Sequence, residues 1–114
     1  RLFMCGRLVR DNIPKIYENE GKVCVTERLE MEEYAERLIE VLDGKMQDFK
    51  SAFEMQDDEN AVKEIAEVVE VLYAVLNLIG VEKESFEKIR LAKCQKFGGY
   101  DNRVLLKEVL EKQD

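Results

Sequence analysis

The chain has 114 residues, 46% of them hydrophobic and 38% charged, which is typical of one globular domain with a moderate core. Its formal net charge of −7 argues against a DNA-binding protein, because such proteins need basic surface to displace counterions. The chain has no histidine and only three cysteines, which excludes His-based catalytic triads and leaves too few ligands for ordinary zinc sites. We therefore expect a single domain over residues 1–114 and no DNA partner.

The cysteines and the hydropathy pattern indicate where the protein works. Cys5, Cys24 and Cys94 are odd in number and lie far apart in sequence, so we expect reduced thiols rather than a disulfide framework. No apolar run is long enough to span a bilayer, and no signal peptide is visible. These features predict a cytoplasmic protein with no membrane partner.

Charge is unevenly distributed along the chain. Residues 27–70 contain 15 acids and 5 bases, whereas residues 88–107 contain 6 bases and 1 acid. An acidic centre followed by a basic end suits a site that holds a cation and a polyanion together. Charge complementarity within the chain explains the same pattern without any ligand.

The first elements predicted along the chain are short. Pro14 predicts the start of a helix that Asp11 or Asn12 caps and that ends near Gly21. Residues 22–28 are rich in β-branched side chains and predict a strand. We expect that strand to pair with residues 103–106 in a short two-stranded β element, followed by a helical tail.

Three longer helices follow from the spacing of apolar residues, over residues 31–55, 60–78 and 83–97. Gly80 and the pair Gly98-Gly99 predict where the last two end. The helix over residues 60–78 is apolar over roughly two thirds of its circumference, so it must be buried on more than one side. The fold is therefore predicted to be mostly α, a helical bundle that assembles as a homodimer or homotetramer.

Three glutamates recur at every third position of that helix. Glu70 falls on its polar side, whereas Glu67 lies at the edge of the apolar arc and Glu64 lies within it. A carboxylate in an apolar arc must be paired, protonated or bound to a metal, because an unpaired buried charge is costly. Glu64 and Glu67 are three residues apart and can approach one Mg²⁺ ion, although a structural salt bridge explains them as well.

A lysine lies among the apolar positions of the preceding helix. Lys45 falls in the middle of the apolar arc, and Asp48 lies at its edge. Lys45 either extends its ammonium group out to water or contacts Glu64 or Glu67 across the helix pair.

Basic residues at two places are candidates for holding phosphate groups. Arg90 and Lys93 form a stripe on the helix over residues 83–97, and guanidinium and ammonium groups both bind phosphate. A solvated basic face is the plainer interpretation of this stripe. Arg10, with Arg7 and Asp11, precedes the Pro14 turn, and the local sequence does not decide its role.

Three motifs together resemble one protein family. Residues 7–16, RLVRDNIPKI, resemble the "KLVRDKIPEI" opening of the MazG-like all-α nucleotide pyrophosphohydrolases, in the branch labelled phosphoribosyl-ATP pyrophosphohydrolase-like. Residues 64–72, EIAEVVEVL, resemble the family's "ELADVLEVL" helix. Arg90-x-x-Lys93 followed by FGGY at residues 97–100 and by Arg103 is similar to its "R-x-x-K…RGGF…R" ending. The resemblance spans nearly the whole chain in the right order.

The resemblance implies an oligomeric helical bundle in which acids of two helices bind Mg²⁺. Water then attacks a nucleoside triphosphate between its α and β phosphates, which releases a nucleoside monophosphate and pyrophosphate. In this scheme Glu64 and Glu67 match the second acidic pair, Asp48 keeps one acid of the first motif, and all three are candidate catalytic and metal-binding residues. Arg10, Arg90 and Lys93 are the candidate phosphate-binding residues.

The first acidic motif departs from the family pattern. Where the family has "L-x-E-E-x-x-E-F", this chain has LDGKMQDF at residues 42–49, so Gly44 and Lys45 stand in place of adjacent glutamates. An ammonium group at that position would neutralise Glu64 and Glu67 and repel Mg²⁺. Two predictions therefore stand side by side: a Mg²⁺-dependent pyrophosphohydrolase, or a nucleotide-binding or regulatory oligomer with a weakened or lost metal site. A third, an oligomeric scaffold without a ligand, is disfavoured by the resemblance.

Overall fold

The computed structural model describes residues 6–113, and they contain four helices and no strand. The helices are α1 (Ile13–Asn19), α2 (Met31–Glu54), α3 (Asp58–Leu78) and α4 (Lys83–Phe97). The predicted mostly-α fold class is confirmed. The chain divides into two compact units, one ending at Val81 and one beginning at Glu82; a single domain over residues 1–114 stays a prediction. Cys5 lies outside the described residues.

The helix α1 is a single short element with little apolar contact. Pro14 lies at its first positions, where a missing N–H costs nothing. Asn12 is the N-cap residue, but its side chain makes no capping hydrogen bond, so the predicted side-chain cap is wrong. Instead, the backbone N–H of Ile13 donates to the carbonyl of Arg10 at 3.0 Å, which closes the turn before the helix. Gly21, at φ +85°, follows the helix end.

The helices α2 and α3 form the hairpin that carries the fold. A connection of three residues joins them, so they lie antiparallel. Asp57 caps α3, because its side chain accepts from the N–H of Asn60 at 3.2 Å. The helix α3 begins two residues earlier than predicted.

The core between α2 and α3 is small. It consists of the four buried residues Leu38, Ala52, Ala61 and Val71, two from each helix. The two alanines lie near the connection, and Leu38 and Val71 lie farther along the pair. The larger apolar side chains of the described residues are mostly half-buried or exposed. The antiparallel pair nevertheless fixes which side chains of α2 face α3, and so positions the site described below.

An apolar stripe runs along the exposed side of α3. It consists of Val62, Ile65, Val69, Leu72 and Ile79, and each of these side chains is more than a third exposed. Their spacing follows the three- and four-residue steps of a helix-packing seam. The predicted burial of α3 on more than one side is not seen within the described chain, and burial of this stripe against a second copy stays a prediction.

The predicted β element and helical tail are wrong. Residues 22–28 have no regular hydrogen-bonded structure, and the side chains of Val23 and Val25 are almost fully exposed. A strand needs a partner for its backbone groups, and residues 103–106, the expected partner, belong to the other compact unit. Residues 103–113 likewise form no helix.

The unit that starts at Glu82 contains α4. Its bounds agree with the prediction, and Gly98, at φ +80°, ends the helix in a conformation that favours glycine. No residue of α4 is buried. No helix in the described part of the chain combines the length and hydropathy needed to cross a membrane.

Candidate functional site

The candidate site lies around Glu67 on α3. Two cations contact this carboxylate: Arg10 Nη1 lies 3.0 Å from Oε2, and Lys45 Nζ lies 3.6 Å from Oε1. Arg10 precedes α1, and Lys45 lies on α2, so three separate parts of the chain meet at one group. The prediction that Lys45 contacts Glu64 or Glu67 across the helix pair is confirmed, with Glu67 as the partner.

The helix geometry explains why Lys45 reaches Glu67. Position 45 falls on the face of α2 that carries Leu38 and Ala52, and this face packs against α3. From this face the ammonium group of Lys45 contacts Glu67 on α3. The side chain of Lys45 is 33% exposed and that of Glu67 is 31% exposed, so the pair is half-buried.

These residues line a pocket of about 1070 Å³, here called the Lys45 pocket. Its walls come from the segment before α1, from α1 itself and from the facing surfaces of α2 and α3. Its charged lining residues are Arg7, Arg10, Asp11, Arg37, Glu40, Lys45, Asp48, Glu67 and Glu70. The pocket therefore presents charges of both signs within one cleft of the first unit.

The predicted acids do not converge on one point. Asp48 is exposed and lines the Lys45 pocket together with Glu67. Glu64 is half-buried, does not line that pocket and forms no ion pair with another described residue. Within the described residues, no three acid or cysteine side chains are close enough to hold a metal ion together. Gly44 lines the pocket beside Lys45 and contributes no ligand.

Arg37 is a site residue that the sequence did not single out. Its guanidinium donates to the carbonyl of Gly6 at 3.3 Å and forms ion pairs with Glu33 and Glu40 on the same helix. It therefore ties the segment before α1 to α2. The spacing of Glu33 and Glu40, four residues before and three residues after Arg37, was a visible signal for the ion pairs, but nothing local indicated the contact with Gly6.

Arg90 and Lys93 lie in the unit that starts at Glu82. The guanidinium of Arg90 donates to Glu87, with 3.0 Å from Nε to each carboxylate oxygen and a still closer contact from Nη2. This hydrogen bond holds the pKa of the half-buried Glu87 carboxyl below its ordinary value. Lys93 Nζ lies 5.8 Å from the centre of the Phe97 ring. The phosphate-binding role of both basic residues stays a prediction.

A second pocket, of about 1360 Å³, lies between the segment before α1 and residues 24–37. Of the predicted site residues only Arg10 lines it. Cys24 is a free thiol there and donates to the carbonyl of Pro14 at 3.7 Å. The Lys45 pocket is the better candidate, because it is lined by four of the predicted site residues, Arg10, Lys45, Asp48 and Glu67.

Comparison with models of protein families, with curated proteins and with solved structures finds no match. The resemblance to the MazG-like pyrophosphohydrolases therefore stays a prediction from sequence motifs.

Proposed function

We propose that the protein binds a nucleoside triphosphate or a related nucleotide in the Lys45 pocket, as a helical oligomer of the MazG-like type. The observation that carries the proposal is the convergence of Arg10 and Lys45 on one point of this pocket. Guanidinium and ammonium groups together bind phosphate oxygens well. A cleft of about 1070 Å³ is large enough for a nucleotide.

Mg²⁺ does not fit the residues as they are arranged. The ion requires near-octahedral oxygen ligands, usually one or two carboxylates plus substrate phosphates and water. Both oxygens of Glu67 already contact a cation, one from Arg10 and one from Lys45. An ammonium group 3.6 Å from the carboxylate repels a divalent ion that approaches the same oxygen. The proposal is therefore nucleotide binding with a weakened or lost Mg²⁺ site, as in a regulatory member of the family.

Hydrolysis is the second candidate function, and one observation favours it. Asp48 and Glu67 come from the two helices that match the acidic motifs, and both line the Lys45 pocket. In this alternative the protein is a nucleotide pyrophosphohydrolase of the house-cleaning type, which cleaves between the α and β phosphates and releases pyrophosphate. Glu64 then belongs to the catalytic acids, because it matches the first position of the α3 motif.

The assembly is part of the same proposal. The apolar stripe of α3 supports a homodimer or homotetramer, because burying such a stripe against a second copy removes exposed apolar surface from water. The proposed setting is the cytoplasm, where reduced thiols such as those of Cys24 and Cys94 are the rule.

Calorimetric titration with a panel of canonical and modified nucleoside triphosphates tests the proposal. Each titration is done once with EDTA and once with Mg²⁺, and pyrophosphate release is followed in parallel. We expect saturable nucleotide binding in EDTA, and we expect Arg10→Gln to weaken it. The control is Lys15→Gln, which removes the charge of an exposed side chain on α1 that does not line the pocket, and it should not weaken binding. Pyrophosphate release that requires Mg²⁺ and disappears in Glu64→Gln would establish the hydrolase instead. If no nucleotide binds, the remaining interpretation is an oligomeric scaffold without a ligand.

A further inference from the structure

We infer that Glu67 is an internal competitor for the phosphate ligand, occupying with its carboxylate the place between Arg10 and Lys45 that a phosphate group takes. This inference rests on the proposed function and adds to it the residue that limits affinity. A substitution of Glu67 should therefore have the opposite effect on affinity from the one that a metal-ligand role predicts. Neutralising a metal ligand weakens binding, whereas neutralising an internal competitor strengthens it.

The two carboxylate oxygens of Glu67 contact two different cations. A carboxylate and a phosphate present similar pairs of oxygens to a guanidinium group. Glu67 uses one oxygen for Arg10 at 3.0 Å and the other for Lys45 at 3.6 Å. A phosphate that enters the pocket must therefore compete with Glu67 for both cations. The exchange of partners is feasible because all three side chains remain partly exposed to water.

The charges that line the Lys45 pocket also affect how it binds an anion. Its lining includes four basic and five acidic residues, so the wall as a whole does not attract an anion. Arg37 is already engaged by Glu33, Glu40 and the Gly6 carbonyl. Glu67 is the acid that engages Arg10 and Lys45. Its exchange for glutamine would balance the lining charge, free both cations and leave the shape of the pocket nearly unchanged.

Glu70 provides a matched control. It lies one turn further along α3, lines the same pocket, and is joined to neither Arg10 nor Lys45 by a described ion pair. Its exchange for glutamine removes the same charge from the same wall but frees neither cation. A general effect of net charge would appear equally in both variants, whereas competition at the phosphate position appears only in Glu67→Gln.

The experiment is calorimetric titration with inorganic pyrophosphate in EDTA, so that no metal takes part. We expect Glu67→Gln to bind about three- to tenfold more tightly than the unchanged protein, as the loss of two partly exposed ion pairs would give. Glu70→Gln should change the affinity less than about twofold. Adding Lys45→Met to Glu67→Gln should abolish the gain. Circular dichroism checks that each variant keeps its helices.

The outcomes separate this inference from the proposed function. An equal or weaker affinity for pyrophosphate in Glu67→Gln, an equal gain in Glu70→Gln, or no pyrophosphate binding by any variant would overturn the inference. A parallel titration with ATP tests the function. If ATP fails to bind while Glu67→Gln gains affinity for pyrophosphate, the proposed function falls and the inference stands. If ATP binds the unchanged protein and Glu67→Gln equally, the function stands and the inference falls.

Discussion

Lys45 on α2 and Glu67 on α3 form an ion pair across the helix hairpin, with 3.6 Å between Nζ and Oε1. In the sequence resemblance to the MazG-like motif, which stays a prediction, Lys45 falls where the motif has a glutamate and Glu67 falls in the second acidic pair. A group that would supply a metal ligand in the family pattern thus supplies a positive charge here. In the proposed nucleotide site, this positive charge favours a phosphate group over a divalent cation.

Replacing Lys45 with an acid should restore affinity for a divalent cation. Lys45→Glu removes the repelling ammonium group and adds a carboxylate near Glu67, so Mn²⁺ should bind at least about tenfold more tightly by calorimetry. The control is Lys50→Glu, which makes the same charge change at an exposed position of α2 that does not line the pocket. No change in affinity in Lys45→Glu would count against the proposed geometry.

The small core between α2 and α3 predicts where the fold is sensitive. Leu38 is 4% exposed, so Leu38→Ala should lower the free energy of unfolding by about 2–4 kcal/mol through lost burial and a cavity. Its neighbour Ile39 is 53% exposed, and Ile39→Ala should cost much less. Urea denaturation followed by circular dichroism measures both. Equal losses in the two variants would mean that the hairpin buries a different face of α2.

The apolar stripe of α3 predicts a self-association surface. Leu72→Asp places a charge in the middle of the stripe and should shift the protein from oligomer to monomer, because burying an unpaired charge is costly. Asn77→Asp, at an exposed position of the same helix outside the stripe, should leave the assembly unchanged. Light scattering after size-exclusion chromatography gives the mass of each. An unchanged oligomer in Leu72→Asp would place the interface elsewhere.

The Glu87–Arg90 contact predicts a pH dependence that a titration can check. Because the hydrogen bond from Arg90 lowers the pKa of Glu87 in the folded chain, the contact contributes fully at neutral pH. Its contribution is lost as the pH falls through the lowered pKa, where the carboxyl becomes protonated. A ¹³C NMR titration of the Glu87 carboxyl should give a pKa below the ordinary glutamate value, and Arg90→Gln should raise it. An unshifted pKa in the unchanged protein would show that the contact does not persist in solution, leaving Arg90 more available for phosphate.

The long helices were predictable because their signals are local. Apolar spacing and flanking glycines give the limits of α4 at both ends and those of α2 within one residue. The start of α3 was predicted two residues too late, although its cap, Asp57, accepts a hydrogen bond from a residue only three positions away.

The β element was predicted wrongly because its stability depends on a distant partner. Residues 22–28 have the composition of a strand, but composition does not supply the second strand that a ladder needs. Apolar composition likewise fails to predict the tail, in which Val104, Leu105 and Leu106 are exposed.

The site was predictable in part. The contact of Lys45 with α3 follows from the angular positions of both residues on their helices, because antiparallel packing brings the two apolar arcs together. The contact of Arg10 with Glu67 joins residues 57 positions apart and depends on the path of the segment before α1. No periodic pattern in the sequence predicts that path, so only the folded structure shows that Arg10 is the second cation at Glu67.

Titration of the unchanged protein with Mn²⁺ tests most directly the central claim, that Arg10 and Lys45 rather than a divalent cation neutralise Glu67. Calorimetry without nucleotide, at low ionic strength so that weak electrostatic binding is not screened, should give no saturable heat of binding. A saturable heat of binding that disappears in Glu64→Gln would contradict the claim and establish a working metal site on α3.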